Sequence, residues 1–378
     1  MSQSGLQVSR RADFFSLLDY WLLVPILLMS VIGLYVLQGI TSSDYANGTA
    51  VFMRQSGAVL AGIVIALLVA LVEYPLLRFV SWSVYGLGVV LLVVVLVDNY
   101  SLAAKWGSDS WLLLPVIGSF QPAELAKVGI ALAGAWLLED MGSGRISRPV
   151  GFLALAVLAG VPLFLILRQP DLGTALVIVA MLAVMLFLWG IRLRWVLIAG
   201  SLAGLSAIPI FQFVLKPHQK LRILTFLYPS LDPDNALQID ASLRAIAAGG
   251  LLGSTSDVRV QVPVKESDFI FAGLAERMGF VGALLLILLV FFFLCRGMRV
   301  AARAPGTAGS MMASGIVAVI AIHYIENIGM NVGLLPITGI PLPFISLGGT
   351  AMLVNFLMLG ILLAISMEER ILVRDRET

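Results

Sequence analysis

The sequence predicts an all-α polytopic membrane protein of ten transmembrane helices, with a large extracytoplasmic loop between helices 7 and 8. Three observations carry that prediction. The 378 residues are 60% hydrophobic and 12% charged, with a mean hydropathy of +1.01; a soluble domain is about 45–50% apolar and about 25% charged. The apolar residues fall in long runs that lack the alternation of a barrel, and only helices or closed barrels satisfy their own backbone in lipid. One long stretch, Lys216 to Gly279, turns polar between two such runs and closes on Glu266-Ser267-Asp268-Phe269-Ile270-Phe271.

Spans of about 20 residues are expected near 20–38, 55–73, 79–97, 122–139, 149–167, 172–190, 194–214, 279–297, 311–334 and 348–367. The chain then reads as one domain, with an N-terminal tail over 1–19, an extracytoplasmic loop over 216–278 and a C-terminal tail over 368–378. The apolar run after the polar N-terminus lacks a small-residue cleavage site and reads as a retained first span. Arginines set the orientation. With the N-terminus inside, Arg10, Arg11, Arg78, Arg145, Arg148, Arg192, Arg194, Arg296, Arg299, Arg303 and Arg370 share the cytoplasmic side, and both termini are cytoplasmic.

A net charge of +2 is too small to suggest a nucleic-acid partner. The single cysteine, Cys295, forms no internal disulfide, and two histidines, His218 and His323, give no zinc-type spacing. No metal ligand set is assigned.

The outer side holds cations in distinctive settings. Arg54 and Gln55 open the second span, Lys105 lies in a Gly/Ser-rich loop, and Arg168 begins the turn Arg168-Gln169-Pro170-Asp171-Leu172-Gly173-Thr174. Such cations suit an anionic ligand anchored in the outer leaflet, such as a phosphorylated lipid; pairing with loop carboxylates is the alternative. Inside the fourth span, Gln121, Glu124 and Lys127 stand three apart on one helix face. Charges at this depth require pairing or a cavity, so a structural ion pair and a functional site both fit. His323, Glu326 and Asn327 follow in the ninth span, where His323 reads as a packing residue. Beyond them, Asn331, Pro336, Gly339, Pro341, Pro343, Ser346 and Gly348 make the most irregular backbone of the apolar half. Irregular backbone survives at membrane depth only against protein or a water-filled cavity.

Five motifs now stand in order: Gln-Pro-Ala-Glu-Leu-Ala-Lys (121–127), Arg-Gln-Pro-Asp-Leu-Gly-Thr (168–174), Ser-Asp-Phe-Ile-Phe (267–271), Asn-Ile-Gly-Met (327–330) and Leu-Pro-Ile-Thr-Gly-Ile-Pro-Leu-Pro-Phe-Ile-Ser (335–346). Together they resemble the SEDS family (shape, elongation, division and sporulation), which includes RodA, FtsW and SpoVE, over nearly the whole chain. The resemblance is greatest to RodA. It implies a ten-helix bundle in the bacterial inner membrane that polymerises lipid II into glycan strands with a class B penicillin-binding protein. It further implies that Asp268 is the key acid and that Glu124 and Lys127 are the functional pair of the fourth span.

On that reading Asp268 is the candidate general base. Lys127, Arg54, Lys105 and Arg168 offset charge on a leaving pyrophosphate, and Glu124 orients Lys127 or helps hold a divalent ion. Gln121, Asp171 and Ser346 complete the expected substrate contacts. No cofactor is certain; Mg or Mn is compatible with this chemistry. Ser110, Val264 and Leu347 depart from the family pattern around the expected groove. Two other classes remain: a lipid flippase or other transporter, which needs a polar path to both faces, and a scaffold whose small-residue helices dock a single-span partner.

Overall fold

The structure is a computed structural model. It describes residues 14–44, 48–97, 110–114, 118–169, 171–195, 233–255 and 260–377, with isolated positions between 198 and 228. Its helices are α1 (Phe14–Leu17), α2 (Tyr20–Asp44), α3 (Gly48–Ala70), α4 (Tyr74–Val97), α5 (Pro122–Gly142), α6 (Arg148–Arg168), α7 (Leu172–Leu188), α8 (Pro233–Ala248), α9 (Ile270–Arg303), α10 (Gly306–Asn331) and α11 (Gly349–Glu377). Among the described residues, seven stretches are long and apolar enough to cross a membrane: Tyr20–Thr41, Gly48–Ala70, Tyr74–Val97, Arg148–Arg168, Ile270–Arg303, Gly306–Asn331 and Gly349–Arg374. The expected spans at 122–139 and 172–190 form α5 and α7. Most of the expected span at 194–214 lies outside the described residues.

The centre of the bundle is α5. Pro122 opens it at a first-turn position, where its missing N–H costs nothing. Nearly every residue from Pro122 to Met141 is buried, including Glu124, Lys127 and Asp140. It packs against α4, α6, α7, α10 and α11. A helix enclosed by protein can carry charges that a lipid-facing helix cannot. The helices around it turn apolar side chains outward, such as Leu60 and Val64 of α3 and Leu153 and Val157 of α6.

The α4–α5 crossing is reciprocal. A Cβ on Gly88 would lie 2.9 Å from the Ala126 backbone, and one on Gly129 would lie 2.6 Å from that of Tyr85. Small residues let two membrane helices approach this closely. At the end of the bundle away from Gln121, buried carboxylates tie helices together. Asp19, fully buried, accepts from Arg296 at 2.7 Å and from Ser366 at 2.9 Å. Asp140 accepts from Arg78 at 2.7 Å and from Arg145 at 2.5 Å.

Two features depart from the sequence reading. First, an antiparallel hairpin, β1 (Leu112–Leu114) with β2 (Gly118–Phe120), precedes α5 in a helical protein. Its edge is met by α11, where the Thr350 hydroxyl donates to the Ser119 carbonyl at 2.7 Å. Second, the helix expected from 279 begins at Ile270, and Gly279 interrupts it at φ 67°. Two amides beside the break find acceptors outside the helix. The Phe280 and Val281 amides donate to the Gly250 and Leu251 carbonyls at 2.9 and 3.1 Å. The described part of the polar loop is therefore folded. α8 lies on α9 and α10, and Ala245, Val262, Phe269 and Ala272 make a small apolar cluster of their own.

Gly88→Leu should destabilise the bundle by about 1–3 kcal/mol or more through overpacking. Gly86→Leu should be near neutral, because a Cβ on Gly86 meets nothing within 4 Å. Thermal unfolding of both variants in detergent checks the contrast.

Candidate active site

Two helix starts, one turn and one loop converge at the Gln121 end of α5. Lys127 is the hub. Its Nζ donates to Glu124 Oε1 at 2.7 Å and lies 2.7 Å from His323 Nε2. Both side chains of the ion pair are almost fully buried, at 1% and 4% exposure. A protonated Lys127 offers only donors, so the facing Nε2 of His323 must be its unprotonated ring nitrogen. Glu124 Oε2 and Glu326 Oε2 are both buried and make no hydrogen bond. Lys127 and Asp171 are both close enough to act electrostatically on Glu326.

Asp268 sits in the turn before α9. Three successive carbonyls of this turn are held from outside it. The Glu266 carbonyl accepts from the Leu347 amide at 2.8 Å, and the Ser267 carbonyl from Ser346 Oγ at 2.6 Å. The Asp268 carbonyl accepts from Asn327 Nδ2 at 2.8 Å and Asn331 Nδ2 at 3.0 Å. The carboxylate is half-buried. The Ser267 hydroxyl donates to its Oδ1 at 3.1 Å, and a Cβ on Gly339 would lie 3.6 Å from its Oδ2. The backbone is thus fixed while the carboxylate faces the 335–348 loop.

The link between the two centres is α10. His323, Asn327 and Asn331 recur every four residues on one face. The first meets Lys127 and the other two hold Asp268, so one helical turn, about 6 Å of rise, separates the contacts. The same helix organises the loop beyond it. Asn327 Nδ2 also donates to the Ile340 carbonyl at 2.7 Å, and the Tyr324 hydroxyl to the Pro343 carbonyl at 2.7 Å. From α3, Gln55 donates to the Ser346 carbonyl at 2.9 Å and accepts from the Gly348 amide at 3.2 Å.

Among the described residues, two non-glycine residues adopt positive φ, Val264 at 55° and Phe344 at 64°. One lies in the Asp268 turn and the other in the loop that clasps it. For a β-branched residue this is an outlier, and such strain costs about 1–3 kcal/mol and persists only where the surroundings over-determine it. Here the surroundings are visible. The Phe344 ring is fully buried against Phe293 and Phe356, and next to Val264 the Lys265–Glu276 ion pair is buried. Glu276 also accepts from the Val260 amide at 2.7 Å.

The remaining expected site residues divide. Gln121 Nε2 donates to Asp171 Oδ2 at 2.9 Å, and Asp171 caps α7 by accepting from the Thr174 amide at 3.0 Å. Both therefore join the starts of α5 and α7. Ser346 is a positioning residue, since its hydroxyl donates to Ser267 and accepts from the Leu342 amide at 2.8 Å. Arg54 is exposed beside Gln55 and makes no ion pair among the described residues. Arg168 is exposed, with its guanidinium 5.3 Å from the Phe164 ring centroid. Lys105 lies outside the described residues. Among the described residues no three His, Cys, Asp or Glu side chains form a metal cage. The free oxygen of Glu124 fits only an ion that takes most of its ligands from elsewhere.

The model of the FtsW/RodA/SpoVE family, described as a cell cycle protein, matches residues 17–371. The chain belongs to the SEDS family. It is 33% identical over 325 residues to the peptidoglycan glycosyltransferase MrdB of Escherichia coli K12, covering 84% of this chain and 86% of that protein. It is 33% identical over 361 residues to the stage V sporulation protein E of Bacillus subtilis, covering 93% and 98%. A chain from a peptidoglycan synthase complex described as coordinating polymerization and crosslinking superposes with a TM-score of 0.78 at 28% identity, covering 93% and 98%. RodA of Thermus thermophilus superposes at 0.68 and 28% identity, covering 96% and 98%.

Within this SEDS chain the three departures have structural places. Ser110 donates from its hydroxyl to the Gln169 carbonyl at 2.9 Å, Val264 is the strained turn residue, and Leu347 uses its backbone to hold Glu266. His323, Asn331 and Gln55 belong to the site but were not assigned to it from sequence. The four-residue spacing of His323, Asn327 and Asn331 in an apolar helix was the available signal.

Lys127→Met leaves Glu124 as an unpaired buried carboxylate and should cost about 3–5 kcal/mol. K127M/E124Q should recover most of that loss. Equal melting of the single and double variants in detergent would overturn the pairing.

Proposed function

We propose that this SEDS chain is a peptidoglycan glycosyltransferase that polymerises lipid II into glycan strands at the outer face of the bacterial inner membrane. The carrying observation is the fixed Asp268 turn, one turn of α10 from the buried Lys127–His323 contact. The 4-hydroxyl of an acceptor GlcNAc attacks C1 of the donor MurNAc. The C1–O bond to undecaprenyl pyrophosphate breaks, and the hydroxyl proton passes to Asp268. A hydroxyl needs such a base within hydrogen-bond reach. The three carbonyl tethers on residues 266–268 hold the base in place before substrate arrives.

The leaving pyrophosphate develops charge that fixed cations stabilise. Lys127 is the buried one, oriented by Glu124 and His323. Arg54 and Arg168 are exposed cations at the rim, and Lys105 is assigned to the same task from sequence. A divalent cation, Mg or Mn, would arrive with the pyrophosphate oxygens and use Glu124, since Mg²⁺ commonly needs one or two carboxylates beside phosphate. It would supply further charge stabilisation.

Ten spans with both termini cytoplasmic complete this reading, with the arginine-rich end inside. The partner is a class B penicillin-binding protein, in keeping with the relative found in a complex for polymerization and crosslinking. A transporter fits less well. From Val128 to Leu138 the central helix is buried and carries no ionisable residue, so α5 offers no polar path between the two faces.

Asp268→Asn keeps the turn but removes the base, and should lower glycan polymerisation by about 10²–10⁴-fold. The measurement is glycan chains on a gel, from lipid II with the cognate partner bound. Undiminished chains from the variant would remove Asp268 as base. No chains from wild type in an assembled complex would overturn the enzyme reading.

A further inference from the structure

A cavity of about 1090 Å³ lies far from Asp268. It lies where α5 and α7 end and where α6 and α10 begin. With a rise of 1.5 Å per residue, the length of α5 puts it about 30 Å from Gln121, at the other membrane face. Its lining includes Arg148, Arg192, Trp189, Trp195, Gly306 and Thr307.

This lining has the chemistry of an anion site at a lipid boundary. Neither Arg148 nor Arg192 makes an ion pair among the described residues, although other arginines at this end do. Arg148 lies over the Trp189 ring, 5.9 Å from its centroid. That ring is fixed, because its Nε1 donates to the Leu138 carbonyl at 3.0 Å and Phe152 packs edge-on against it. The start of α10 also faces the cavity with no side-chain cap. Glu139 takes the Ala308 amide at 2.9 Å and the Tyr74 hydroxyl the Gly309 amide at 2.8 Å, and Glu139 shares Arg145, at 3.8 Å, with Asp140. The amides of Gly306 and Thr307 precede those bonds and have no acceptor among the described residues. Unsatisfied amides at a helix start favour an anion.

Two features point to a lipid as the source of that anion. Phe152 lines the cavity and continues into the outward apolar face of α6, with Leu153 and Val157 exposed beyond it. Trp195, on the rim, is 56% exposed, and tryptophan is enriched at membrane–water interfaces. We propose that this cavity binds the phosphate headgroup of an anionic phospholipid from the leaflet opposite the active site, with its acyl chains along α6. Arg148 and Arg192 supply the charge and Trp189 holds Arg148 in position.

The test is native mass spectrometry of the full chain in neutral detergent with phosphatidylglycerol or phosphatidylcholine. Wild type should retain phosphatidylglycerol roughly tenfold better or more, since each basic residue near an anionic headgroup adds to affinity. R148Q/R192Q should lose that preference while unfolding at the wild-type temperature in lipid-free detergent. If the double variant does not fold, R192Q alone should weaken the preference, because Arg192 is exposed and lies over no aromatic ring among the described residues. Equal retention of the two lipids by wild type, or an unchanged preference in a folded variant, overturns the site. Displacement of phosphatidylglycerol by excess inorganic phosphate would make it a free-anion site and overturn the lipid assignment.

Discussion

A lysine enclosed by a membrane bundle has to be matched on every side, and much of this fold follows from how Lys127 is matched. Its carboxylate partner comes from the same helix, one turn away, and its second contact comes from α10. The cost of an unpaired charge in this setting is several kcal/mol. That cost fixes the rotation of α10 against α5. Once His323 faces Lys127, helical periodicity turns Asn327 and Asn331 toward the Asp268 turn. The same rotation brings Tyr324 and Asn327 under the proline-rich loop. One electrostatic requirement thus orders a helix, a loop and a turn that are far apart in sequence.

The order is held by hydrogen bonds to backbone carbonyls together with side-chain packing. The turn at 264–269 and the loop at 335–348 each contain a strained residue, and each supplies donors or acceptors to the other. Neither segment could keep its shape alone. The Ser346 side chain, expected to meet substrate, takes part in this mutual support, and that of Asp171 joins the starts of α5 and α7.

Part of this fold was legible in the sequence. The apolar runs placed the helices at 122–139, 149–167 and 172–190 within three residues, while the other described spans differ by five to ten residues at one end or both; lipid leaves the backbone no choice but helix, yet does not mark where a helix ends. The Glu124–Lys127 pair was legible because a three-residue spacing is local geometry. Its third member was not, because His323 is 196 residues away and nothing local reports the contact. The hairpin at 112–120 was missed for a different reason: a short apolar run has no period to separate strand from helix. The start of α9 at Ile270 was hidden because Gly279, which reads as a boundary, is a break inside the element.

That break has a mechanical meaning. The nine residues from Ile270 to Met278 are linked to the rest of α9 through Gly279 and, around it, through the 250–254 segment, while α8 and the Asn331 side chain hold them from the other side. The Ala272 amide donates to Asn331 Oδ1 at 3.0 Å, and the residue four before Ala272 is Asp268. The Asp268 backbone is therefore anchored on α10 as well as on the helix that follows it in the chain. A shift of α10 would reach the Asp268 turn through these bonds without passing along α9.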